Sequence, residues 1–327
     1  MKKGVSYFGV RNPKWVLEDM KEILACGYTH VLHTYSETDF SYYQETMEKI
    51  IQDSVDLGLK VYVNPWGIGR VFGGEAFSEL VGKTPSMAQK TVDGAHKIAA
   101  CPNQKAFRDY MHQWIEVVCK TSIETVFWDE PHFYFEKGNL ENWACRCELC
   151  QSLFEKQYGY TMPQNLSHEV LEFRENSLLD FLKEMTYSVC QKGKRNSVCL
   201  LPYWFPAGIE NWDKIAQIPY VDEISSDPYW EKTSSSEDAI KNYQYTSNKL
   251  FDLCQKYQKE AQIWIKNYHI VAGKENDIVN ATKEAYLAGI RNIFAWSFRG
   301  SEYLSWLRSD NPELVWKTQC EALQNLK

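Results

Sequence analysis

Regular alternation constrains this chain more than any other feature. Eight short runs rich in Val, Ile, Tyr, Phe and Trp are each followed by a longer segment with apolar residues every three or four positions. Side chains alternate faces along a strand and repeat every 3.6 residues along a helix, so the pattern reads as strand and amphipathic helix in turn. Strands are expected at 4–10, 29–37, 60–66, 124–133, 197–204, 221–230, 261–270 and 291–300. Asn12 and Pro13 read as an N-cap and first helical residue, and Gly27, Gly58, Gly193 and Gly289 as helix stops. Tyr43, Met47, Ile50 and Ile51 share one helix face, as do Phe107, Met111, Trp114 and Val118.

Eight strand–helix units without a low-complexity linker predict an α/β protein of the (β/α)8 or TIM-barrel class, with residues 1–327 as one domain. A doubly wound open sheet is the runner-up, but "FGVRNPKW" after the first strand lacks the glycine-rich phosphate turn. Two excursions are expected, a long loop after strand 3 (67–100) and a cysteine-rich insertion after strand 4 (134–167).

In such a barrel the C-terminal strand ends ring one mouth, and functional residues gather there. The candidates are Glu37, Asn64, Trp66, Asp129, Glu130, Tyr203, Trp204, Asp227, Trp230, Lys266, Asn267, His269, Trp296 and Arg299. Carboxylates among aromatic rings suit a sugar, whose apolar face stacks on an aromatic ring while its hydroxyls need fixed polar partners. The net charge of −7, with no basic stripe, argues against a nucleic-acid or anionic-membrane partner. No apolar run approaches a membrane span or a signal peptide, and ten cysteines without a secretion signal point to reduced thiols or metal ligands in the cytoplasm. Nothing in the sequence opposes a homo-oligomer.

The stretch "VFWDEPHFYF" (126–135) ends an apolar strand on two adjacent carboxylates and a proline. Proline removes a backbone donor and ends the ladder, so the chain turns outward with Asp129 and Glu130 at the mouth. Only one of the two neighbours is expected to point inward, and the sequence leaves open which. Ion pairing with Arg299 or Lys266 is the alternative use for them. Asp227 in "SSDPYW" repeats the acid–proline arrangement and is the first choice as second carboxyl, because glycosidic cleavage needs one acid and one carboxylate. Glu223, within its strand, reads as a structural partner.

"CRCELC" supplies Cys145, Cys147 and Cys150 at spacings suited to one tetrahedral ion, and Cys101 belongs to a neighbouring loop. Four thiolates make a closed structural zinc site. No catalytic cofactor is expected.

The block "CPNQKAFRDYMHQWIE … VFWDEPHFYF … CRCELCQSLFEKQYG" resembles the family 42 glycoside hydrolases over about residues 100–160. The resemblance implies that Glu130 matches the catalytic acid/base, that Asp129 stands where the family has asparagine, and that Cys101, Cys145, Cys147 and Cys150 match its zinc ligands. The family's nucleophilic glutamate on strand 7 has no counterpart in "IWIKNYHI". Barrel glycosidases acting on α-linkages instead pair an aspartate on strand 4 with one on strand 6, which would make Asp129 the nucleophile and Asp227 the acid.

The leading expectation is a glycoside hydrolase acting on a small glycoside or oligosaccharide through Glu130, Asp129 and Asp227. A Schiff-base sugar aldolase or lyase using Lys266 is the second reading, and a non-catalytic saccharide-binding barrel the third. "WGIGRVFGGEAF" reads as part of a long active-site loop, in which Arg70 and Glu75 are solvated charges in preference to substrate contacts. His30 and His33 lie three apart and face opposite ways, so a metal held by His33, His132 and His269 is a minor alternative.

Overall fold

The computed structural model describes residues 1–136, 138–202 and 208–326. Its strands are β1 (Lys2–Tyr7), β2 (His30–Thr34), β3 (Lys60–Asn64), β4 (Ala88–Lys90), β5 (His96–Ala100), β6 (Thr125–Trp128), β7 (Arg195–Leu200), β8 (Glu223–Ser226), β9 (Glu260–Lys266) and β10 (Asn292–Trp296). All except β4 and β5 form a closed barrel in chain order, with β10 returning to β1 and every neighbouring pair parallel. The eight-stranded barrel expected from the alternation is therefore present. Its strands are shorter than the apolar runs, and β6 stops at Trp128 because the chain leaves the ladder at the two carboxylates.

Eleven α-helices lie among the described residues. Asn12 caps the first by accepting from Lys14 N at 3.1 Å, with Pro13 as its first residue. The helix Lys105–Val118 buries Phe107, Met111, Trp114 and Val118, the face read from the sequence.

The barrel interior is filled in layers. At the bottom Glu223 accepts from Lys2 Nζ at 3.0 Å, Gln262 Nε2 at 2.7 Å and Asn292 Nδ2 at 2.8 Å, which compensates a carboxylate that burial alone would penalise. Above it pack Leu32, Tyr62, Phe127, Trp264 and Phe294. Gly4 makes room for this layer, since a Cβ there would stand 2.3 Å from the Phe294 ring.

The segment after β3 is more structured than a loop. It contains the short helix Leu80–Lys83 and the antiparallel hairpin β4–β5. Glu37, expected at the mouth, instead ties this segment down. Its carboxylate accepts from Gly69 N (2.9 Å), Ser78 Oγ (2.6 Å), Glu79 N (2.6 Å) and Leu80 N (3.1 Å), and this leaves it no role toward a ligand.

Candidate active site and cysteine cluster

Four carboxyl groups meet at the mouth. Along β6 Phe127 faces the interior, so alternation carries Asp129 inward as well. Alternation would turn Glu130 outward, but its backbone is left-handed (φ 43°), and its side chain reaches the same cavity as Asp129. Both neighbours thus point into the mouth, contrary to the expectation that one would turn away. A left-handed glutamate is strained, and the surroundings hold it: Glu130 N donates to Cys199 O (3.1 Å) and Gly73 N to Asp129 O (2.9 Å).

Asp129 is buried and accepts from Asn64 Nδ2 at 3.1 Å. Asp227, just past the end of β8, is 8% exposed and lines the same cavity as Glu130. Burial, then the Glu130 charge, push the Asp227 carboxyl well above the usual carboxylate range. Asp129 shifts the same way, by burial first and then the charges of Glu130 and Glu75. Both shifts favour the protonated form of the two aspartates.

The fourth carboxyl, Glu75, was read as a solvated loop charge. It lines the cavity of about 120 Å³ that also contains Asp129, Glu130 and Asp227, and it accepts from Trp66 Nε1 at 3.3 Å. Burial raises its pKa. The available signal was the Gly73–Gly74 pair before it, which lets the backbone approach closely: a Cβ on Gly73 would stand 2.7 Å from Glu130 Oε2. A wider cavity of about 800 Å³ shares Gly74, Glu130, Asp227 and Tyr229 and is walled on its far side by His96, Lys97 and Ile98 of the hairpin.

The other sequence candidates divide. Trp296 lines the small cavity, with Tyr229 and Tyr268 beside it. Trp230 packs against Tyr243 of the outer helix and lines neither cavity, so Tyr229 takes the place expected of it. Lys266 is 2% exposed, donates from Nζ to the Trp230 carbonyl and lies over the Trp230 and Tyr268 rings at 5.3 and 5.2 Å. Arg299 turns outward to pair with Glu22. Neither cation meets the carboxylates, because each is drawn to a partner nearer its own strand end. His269 is bonded to the Trp306 carbonyl, and Asn267 is fully buried with neither amide atom partnered among the described residues. Tyr203 and Trp204 lie outside the described residues. His33 is buried against Ser54 at 2.9 Å, away from His132 and His269, so the three do not form a metal site.

Cys101, Cys145, Cys147 and Cys150 are buried, and their sulfur atoms lie within 4.8 Å of one another. Topology brings them together. Cys101 directly follows β5, Thr91 bridges Ala144 beside the hairpin, and Arg146 N donates to Lys90 O at 2.7 Å. A metal–sulfur bond of about 2.3 Å implies tetrahedral sulfur–sulfur edges of about 3.8 Å. The Cys101–Cys150 and Cys101–Cys147 separations of 3.4 and 4.0 Å bracket that length. N–H donors from Asn103, Gln104 and Cys147 reach the sulfurs, as thiolates require. The donor set fits one structural metal ion with no open position.

The sequence matches no protein-family model and no curated protein. Solved structures share the fold. The catalytic domain of a β-amylase from Paenibacillus polymyxa aligns with a TM-score of 0.68 at 9% identity, over 100% of this chain and 98% of that one. An endo-1,4-β-mannanase from Rhizomucor miehei gives 0.67 at 10% identity over 99% and 95%. A D-psicose 3-epimerase from Clostridium cellulolyticum H10 gives 0.51 at 12% identity over 99% and 97%. At these identities the likeness establishes the (β/α)8 fold, which hydrolases and isomerases of sugars both use.

Proposed function

We propose that the protein is a glycoside hydrolase whose working pair is Glu130 and Asp227. The observation that carries this reading is that both side chains line one small cavity at the base of an open, aromatic-walled one, where burial raises the Asp227 carboxyl. Asp227, the drier group, protonates the leaving oxygen. Glu130 faces the anomeric carbon or its attacking water. Asp129, held by Asn64, and Glu75, held by Trp66, flank the pair and offer hydrogen-bonding groups to the sugar. This assignment differs from the one implied by the family 42 resemblance, in which Glu130 is the acid. The fold shared with a β-amylase and a mannanase is compatible with both.

The product anomer reports the stereochemistry. The four cysteines hold a structural zinc ion, since soft thiolates in a closed tetrahedral set select zinc. That ion braces the hairpin: Tyr134 N donates to Gln89 Oε1 at 2.9 Å, linking the hairpin to the chain beside the cavity.

Burial pushes the Lys266 ammonium down to about 8, as a Schiff-base lysine requires, but it lines neither cavity. The hydrolase reading is favoured for that reason. The test is turnover of α- and β-linked aryl glycosides and short oligosaccharides by wild type, Glu130→Gln and Asp227→Asn. Loss in both variants with a hydrolysed product is the expected result. Full activity in either variant, or borohydride trapping of a sugar on Lys266, would overturn it.

A further inference from the structure

Beyond the carboxylates, β1 and β10 carry a second feature of the mouth. Phe8 lies between Trp66 and Trp296, with ring centroids 5.5 and 5.3 Å away and interplanar angles of 26° and 24°. Trp66 is fixed by its bond to Glu75 and by Gly74, where a Cβ would stand 1.9 Å from the indole. Trp296 belongs to the small cavity that holds the carboxyls, whereas Phe8 and Trp66 wall a separate cavity of about 280 Å³. The aromatic stack thus stands between the two spaces, with a face toward each.

The chemistry of this second cavity is that of a neutral polyhydroxyl ring. Its apolar walls are aromatic, with Tyr7, Phe298 and Tyr303 added to Phe8 and Trp66, and Leu304 closes one side. Its polar groups are acceptors or hydroxyls: Asp19, which accepts from Tyr7 OH at 2.5 Å, Glu302, and Ser6, whose fully buried Oγ has no partner among the described residues. No Lys, Arg or His lines it among the described residues. A buried hydroxyl without a partner costs free energy unless a ligand supplies one. Aromatic faces with carboxylate acceptors bind C–H faces and O–H groups, and without a cation they discriminate against anionic ligands.

We propose that this cavity is a second carbohydrate subsite, which takes a further neutral sugar ring of a substrate of two or more residues bridging the Trp66–Phe8–Trp296 stack. The proposal rests on the hydrolase reading for which bond is cut, but not for binding.

The test compares kcat/KM for a p-nitrophenyl monoglycoside with that for the p-nitrophenyl disaccharide and trisaccharide of the same sugar. The variants are Leu304→Trp, which fills the cavity, and Tyr303→Ala, which removes an exposed wall without touching the core. Wild type is expected to favour the longer substrates by on the order of tenfold. Both variants are expected to lose that preference while monoglycoside turnover is unchanged. Equal rates on short and long substrates in wild type, or a preference that survives Leu304→Trp, would overturn the subsite and leave the hydrolase intact. If no aryl glycoside is turned over, calorimetry with gluco-, manno- and galacto-configured di- and trisaccharides decides. Binding to wild type that is lost in Leu304→Trp supports the subsite although the hydrolase reading has failed, and binding of none overturns it.

Discussion

Gly73 backs directly onto Glu130: a single added carbon at residue 73 would stand 2.7 Å from Oε2, closer than real Cβ contacts come. The Glu130 side chain, the flexible partner, would have to move. Gly73→Ala is therefore expected to lower kcat by about 10- to 100-fold, since displacement of a working group by an ångström costs that much. Thermal unfolding checks that the melting temperature stays close to wild type; a large drop in Tm with proportionate loss of activity would show a folding defect instead.

The pH dependence follows from the raised Asp227 and Asp129 carboxyls. In the folded state both bind a proton more tightly than their ordinary value near 3.8 allows, so the native state holds more protons than the unfolded chain. Their contribution to stability is fully present below about pH 4 and is lost as pH rises through the folded pKa values. Asp129→Asn and Asp227→Asn are thus expected to melt higher than wild type at pH 7, with the difference vanishing toward pH 4. A Tm–pH series for each variant measures this, and variants less stable than wild type at neutral pH would contradict it.

Asp227 as the proton donor also fixes a kinetic limb. Activity is expected to fall at high pH as Asp227 deprotonates, and replacing Glu75 with Gln, by removing a charge near the cluster, is expected to move that limb to lower pH. The pH profile of kcat/KM reports the free enzyme, so it is the quantity to follow.

The cysteine cluster should hold one zinc per chain, measurable by atomic emission on the purified protein. Its removal by a strong chelator, or Cys147→Ser, is expected to lower Tm by roughly 5 °C or more, because binding energy at a structural site is folding energy. Protease cleavage within 84–100 should rise in parallel, since the metal site holds the hairpin that ends at Cys101.

Glu37→Ala is expected to cost roughly 3 kcal/mol, since the charged acceptor of four hydrogen bonds is removed and three buried or part-buried N–H groups are left to find others. Chemical denaturation gives the number. A change of KM without loss of stability would instead return Glu37 to the substrate.

The alternation of apolar periods was sufficient to specify the barrel, because strand and helix patterns are local properties of the chain and eight such units have few ways to bury their faces. The same locality made the strand-end carboxylates and the close cysteine triplet readable, and Glu223 was recognisable as structural from its place inside a strand. Partnerships across the chain were beyond it. Glu75 reaches Asp129 over more than fifty residues because a glycine pair lets its loop approach, and Arg299 is taken by Glu22 from the opposite end of the sequence. Glu130 turns inward because its backbone leaves the strand conformation at the point where the ladder ends. Periodicity determines the faces of an element while its hydrogen-bonded ladder persists; past the last ladder bond, tertiary packing alone decides where a side chain points.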